Sequence, residues 1–166
     1  QCSTEGWLEG TTIRLPNVYG GTNKSSSIER GFLNTSIRKA LKGEELSYFS
    51  DGEYIRDFLH VDDVVTALLS SMMHRDKVAN RTFMIGTGIG TQIRDALDEI
   101  ARQAESITHK STRVVPSNPP LEMYQIERRN VIVNCFRFKD RTGWEPKISL
   151  ATGIQRTFIE YSEIAF

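Results

Sequence analysis

The 166-residue sequence predicts an α/β fold of mixed short strands and helices. Three observations carry that expectation. Short β-type runs alternate with stripes of apolar residues at helical spacing. Glycine and proline punctuate the junctions between them. A largely apolar stretch, Phe58-Leu59-His60-Val61, leads directly into Asp62-Asp63, carboxylates placed where a helix start exposes its free N–H groups.

Residues 11–16 read as a short strand that Pro16 stops, because proline cannot donate to a sheet ladder. Residues 18–27 read as a Gly/Ser/Asn-rich loop. Residues 28–41 carry Phe32, Leu33, Ile37, Ala40 and Leu41 as a helical stripe, ended by Gly43. Residues 46–50 and 54–59 flank Asp51-Gly52, a two-residue hairpin signal. Residues 61–74 form a helix whose apolar face is Val64, Val65, Leu68, Leu69 and Met72.

Residues 81–85 predict a strand leading to Gly86-Thr87-Gly88-Ile89-Gly90, with Thr91 as N-cap of a helix to about Glu105. A short strand is expected at 113–115, a rigid loop at 117–120 and extended chain over 121–133. A helix at 136–141 ends at Gly143-Trp144, and 150–164 forms the closing helix. Only two strands read as members of a parallel sheet. Such a remnant is a poor independent fold, since parallel sheets hold several strands and are covered on both faces. Either a partner supplies the remainder or the chain is a piece of something larger.

Composition narrows the function. A chain of this length can enclose one domain with a sizeable core. With 21 basic and 21 acidic residues the formal charge is zero, which argues against a nucleic-acid or anionic-membrane partner. No apolar run reaches the roughly 20 residues of a membrane helix, and residues 1–10 lack the pattern of a signal peptide. Cys2 and Cys135 lack metal or redox spacing, as expected of reduced thiols in a cytoplasmic protein. His60, His74 and His109 form no ligand cluster, so no metal is assigned.

Five segments appear in a specific order: Arg14-Leu15-Pro16-Asn17-Val18-Tyr19-Gly20, the Asp51-Gly52 turn, Arg56-Asp57-Phe58-Leu59-His60-Val61-Asp62-Asp63, Ile85-Gly86-Thr87-Gly88 and Gly143-Trp144-Glu145-Pro146. Together they resemble the C-terminal half of the NAD-dependent nucleotide-sugar epimerase/dehydratase family, the extended short-chain dehydrogenases, from about Thr11 to Tyr161. The resemblance implies that residues 1–166 are a single partial Rossmann-like domain, the substrate-binding portion. In this family that portion clamps the diphosphate of a nucleotide sugar, while an N-terminal half, absent here, holds NAD and the catalytic residues. The implied partners are a nucleotide-diphosphate sugar and either a second copy of the chain or the covering half.

Arg56 is the first candidate for substrate binding, because a guanidinium grips two phosphate oxygens in a planar fork with permanent charge. The resemblance places it on the diphosphate; the alternative is a surface pair with Asp57 or Glu53. Asn17 is second: its amide donates and accepts at once, and the resemblance sets it beside the diphosphate, with Pro16 near the nicotinamide of NAD. The alternative is a turn asparagine. Leu46 and Tyr48 belong to a segment resembling the cradle of the nucleotide base, although Tyr48 and Phe49 are also residues a hairpin buries. Arg128 or Arg129 stands where the family carries a second diphosphate-binding arginine, and Arg128 is taken here. His60, Asp62 and Asp63 read as a helix-entry cluster.

The glycines at 86, 88 and 90 follow Gly-x-Gly-x-Gly, with Thr91 where a dinucleotide fingerprint needs its third glycine, so the turn reads as structural. Met84, Asn134, Phe136, Arg137 and Phe138 depart from the family's usual residues. Catalysis in the family uses a tyrosine four residues before a lysine, acting through 4-keto intermediates. Four residues after Tyr19, Tyr48, Tyr54, Tyr124 and Tyr161 stand Asn23, Gly52, Phe58, Arg128 and Ala165. The chain alone is therefore expected to be inactive. The competing expectation is a non-catalytic assembly module derived from the same family.

Overall fold

The computed structural model describes residues 5–21, 31–118 and 129–162. Cys2, Tyr124 and Arg128 lie outside the described residues, as do the first residues of the helix expected from 28 and most of the extended stretch expected over 121–133. Strands β1 (Thr11–Arg14) and β2 (Asn17–Tyr19) precede helix α1 (Phe32–Lys42) and strand β3 (Leu46–Phe49). Strands β4 (Ile55–Arg56) and β5 (Phe58–His60) lead into helices α2 (Val61–Met73) and α3 (Arg75–Val78). Strands β6 (Arg81–Met84) and β7 (Thr91–Gln92), helix α4 (Ile93–Thr108) and strand β8 (Val114–Ser117) follow, then helices α5 (Phe136–Thr142) and α6 (Leu150–Ser162). Among the described residues no helix is long and apolar enough to cross a membrane.

Among the described residues three strand pairs are parallel, where the two strands legible in the sequence could make only one. Thr11 of β1 lies opposite Arg81 of β6, Asn17 of β2 opposite Phe58 of β5, and Leu46 of β3 opposite Val114 of β8. The fourth pair, β4 with β7, is antiparallel. Two apolar cores result among the described residues. Leu33, Ile37 and Ala40 of α1 meet Leu46 and Tyr48, Leu97 and Ile100 of α4, and Ile154 and Phe158 of α6. The second core joins Leu59, Val64 and Ala67 to Phe83, Ile85, Phe138 and Trp144, with the Phe138 ring edge-on to Phe83 and Trp144.

Several expectations are corrected. The chain turns at Asp51-Gly52, but β3 and β4 do not form a hairpin with each other. A two-residue type I′ connection needs positive φ at both central residues. Here the positive angles fall on Ser50 (57°) and Gly52 (75°), which sends β3 to β8 and leaves β4 to β7. Asn17–Tyr19, placed partly in a loop by the sequence, is a strand. Thr91 is not an N-cap: it lies in β7, and Gln92 caps α4 without a side-chain bond. The expected face of α2 is only partly covered. Val64 is buried, whereas Val65, Leu68, Leu69 and Met72 are exposed.

The α2 start follows local cap chemistry. His60 Nδ1 accepts from Asp62 N at 3.2 Å, and Asp62 and Asp63 occupy the positive first turn. Gly20 (φ 91°) makes room for the same histidine, since a Cβ there would sit 2.5 Å from His60 Nε2. At its other end, α5 stops at Gly143 in the left-handed region, as its glycine forecasts.

Candidate functional site

A cavity of about 600 Å³ opens between α1 and β3. Phe32, Thr35, Ser36 and Lys39 line it from α1; their spacing puts them on one helical stripe. Leu46, Ser47, Tyr48 and Phe49 form the facing wall, with Tyr54 and Ile93 beside them. Asn17, Gly31 and Arg56 complete the lining. The structure thus brings four of the expected residues to one cavity: Asn17, Arg56, Leu46 and Tyr48. Leu46 and Tyr48 are buried in the core as well, so the packing role foreseen for them is present alongside their place in the wall. Pro16 is half-buried and is not among the lining residues. Arg128 lies outside the described residues, and its neighbour Arg129 is exposed.

Arg56 is held by main-chain carbonyls. Its Nη1 donates to Ile55 O at 3.0 Å and to Arg129 O. The surface pairing with Asp57 weighed from the sequence gives way to a different arrangement. Asp57 turns inward and is fully buried. Its Oδ1 accepts from Thr87 N at 3.0 Å and Thr87 Oγ1 at 2.6 Å; its Oδ2 accepts from Gly88 N at 3.0 Å and Val133 N at 3.1 Å. A buried carboxylate requires such a set of donors. Asn17 is placed by the same residue, since its N–H donates to Asp57 O at 3.2 Å.

His60 and Tyr19 are buried and do not line the cavity. Their rings meet edge-on with centroids 5.3 Å apart, and Tyr19 Oη donates to Leu150 O at 3.3 Å. Burial pushes the Tyr19 hydroxyl well above its ordinary range, with Asp63 adding to the shift. Burial lowers the His60 pKa, against the opposing pull of Asp62. Neither group is prepared for proton transfer at the cavity: one is held neutral by burial, and the other serves as a helix cap.

The described residues do not by themselves fit a dinucleotide. Backbone N–H groups of a glycine turn would have to reach a pyrophosphate, yet those of Thr87 and Gly88 already donate to Asp57. A Cβ at Gly86 would lie 2.6 Å from Val133 Cβ and 2.8 Å from Asp57 Oδ2, so this glycine serves close packing. The turn is structural. Sequence reasoning missed Lys39, Tyr54 and the Asp57 clamp. Lys39 was legible at the seventh position after Phe32 on the α1 stripe. The clamp was not, because Val133 lies far along the chain.

The chain is 28% identical over 161 residues to the UDP-N-acetyl-alpha-D-glucosaminuronate decarboxylase of Bacillus cytotoxicus, covering 95% of this chain and 47% of that protein. It is 30% identical over 152 residues to the CDP-abequose synthase of Salmonella typhimurium, covering 86% and 45%. Among solved structures, the UDP-glucose 4-epimerase of Thermotoga maritima with UDP-glucose superposes with a TM-score of 0.82 at 33% identity, covering 99% of this chain and 49% of that one. The chain therefore spans about half the length of the curated relatives it matches. The sequence profile of the NAD dependent epimerase/dehydratase family matches residues 2–86, and the chain belongs to that family.

Proposed function

We propose that the chain is the nucleotide-diphosphate-sugar-binding portion of an NAD-dependent epimerase or dehydratase, a single partial domain working in the cytoplasm. The observation that carries this reading is the cavity between α1 and β3, which has Asn17 and Arg56 in its lining and aromatic residues along its walls. A guanidinium and an amide suit a diphosphate, and the β3 wall with Tyr48 and Phe49 suits a base. Arg128 is proposed as a second diphosphate contact and Pro16 as a contact to the nicotinamide of NAD. The isomerase or lyase chemistry of such an enzyme would need a Tyr/Lys pair supplied from outside these residues, so the chain alone is inactive in this reading.

The test is a thermal-shift titration against UDP-, dTDP-, CDP- and GDP-sugars, with NAD as control. A ligand at 100 times its Kd should stabilise the fold by about 2.7 kcal/mol. One nucleotide class should shift the Tm, NAD should not, and Arg56→Ala should abolish the shift. A shift that survives Arg56→Ala would remove the diphosphate role from this residue.

A second reading rests on the exposed apolar face of α2, where Met72 and Met73 are 72% and 79% accessible. A face of that kind suits protein contact, with a second copy or a covering half as partner. In that case no nucleotide changes the Tm, while the elution volume shows a dimer or larger species.

A further inference from the structure

Asp57 stands next to one candidate phosphate ligand in sequence and hydrogen-bonds the other through its main chain, yet its carboxylate faces away from the cavity into the protein. What it holds there leads back to Arg56. Residues 129–133 run alongside 55–57 without a regular strand ladder. Asn130 Oδ1 accepts from Ile55 N at 2.9 Å, and Val131 N donates to Ile55 O at 3.0 Å. Val133 N donates to Asp57 Oδ2 at 3.1 Å, and the leading carbonyl of the segment, Arg129 O, accepts from Arg56 Nη1.

We propose that Asp57 is a positioning residue for Arg56. Its carboxylate fastens Val133, Val133 anchors the segment 129–133, and the Arg129 carbonyl at the head of that segment orients the guanidinium in the cavity wall. The same carboxylate closes the Thr87-Gly88 turn, so the glycine turn and the cavity cation share one anchor. The functional meaning rests on Arg56 as the diphosphate ligand; the mechanical linkage does not. Asparagine in place of Asp57 would select against the arrangement, because an amide offers a single acceptor oxygen. In either orientation its NH₂ would face N–H donors that now bond to the carboxylate.

The test compares the full chain with D57N, R56A, D57N/R56A and N130A by UDP calorimetry and by ¹⁵N NMR of the arginine guanidinium. D57N should weaken UDP roughly tenfold, the scale of losing a residue that orients a ligand group. In the R56A background D57N should add nothing, because a residue acting through another shows no effect once that other is gone. The Arg56 Nη signals, resolved in the wild type by hindered rotation, should average in D57N and in N130A. Equal weakening with and without Arg56, or unchanged Arg56 signals, would overturn the proposal. Should the wild type fail to bind UDP, the nucleotide reading falls for that base, and the guanidinium signals alone decide whether Asp57 sets Arg56. Should D57N fail to fold, the exposed Asn130 carries the test: unchanged Arg56 signals in N130A would again overturn it.

Discussion

At the residue scale, His60 couples the fold to pH. It is fully buried, and its Nε2 has no hydrogen-bond partner among the described residues. Asp62 and Asp63 favour its charged form, while burial and Arg156 oppose it, and the net pKa lies below 6.5. The unfolded chain then holds the proton more readily than the folded one. Stability from this group is complete above about 6.5 and declines as the pH falls from there toward the lower folded value. The urea midpoint should drop between pH 7.5 and 5.5, and His60→Asn, which keeps a cap acceptor, should flatten that drop. An equal drop in the variant would assign the acid sensitivity elsewhere. Ser50 offers a simpler test, since it holds a left-handed angle of 57° with a Cβ attached. Ser50→Gly should raise the unfolding free energy by about 0.5–1 kcal/mol, readable by urea titration.

At the scale of elements, two buried carboxylates, Asp57 and Asp63, add to the apolar cores by tying together segments far apart in the chain. Asp63, on the first turn of α2, accepts from Lys147 N and Ile148 N, each at 3.0 Å, and so ties the approach to α6 onto α2. Asp63→Ala should cost about 2–4 kcal/mol, as two part-buried N–H groups lose their acceptor; a loss below 1 kcal/mol in urea unfolding would mean that water replaces it. These ties show what the sequence could and could not disclose. The His60 cap and the Gly43 and Gly143 helix ends were legible because their chemistry is local. Arg56, Asn17, Leu46 and Tyr48 were legible as a set only through the resemblance. The β3–β8 pairing, the strand at β2 and the Asp57 clamp were not legible, because their partners lie dozens of residues away in the chain.

At the scale of the whole molecule, α2 presents an apolar face to its surroundings. Val65, Leu68, Leu69, Met72 and Met73 are between 48% and 79% exposed, on the face of a helix whose other side, Val64 and Ala67, is buried. Such an area favours association. The chain should sediment as more than a monomer at micromolar concentration, and Leu69→Glu should shift it toward monomer with little change in Tm. A monomer in the wild type would remove the association argument.

The strand pairing also has a consequence in time. Residue 11 lies opposite residue 81, and residue 46 opposite residue 114, so the sheet pairs are contacts of high contact order. Loop closure must precede them, which places refolding on the order of milliseconds to seconds rather than microseconds. On a ribosome adding about 5–20 residues each second, β1 is made several seconds before β6 exists to receive it. During that interval the edge of β1 that will receive β6 has its N–H and C=O groups unpaired with it, a stretch open to mispairing.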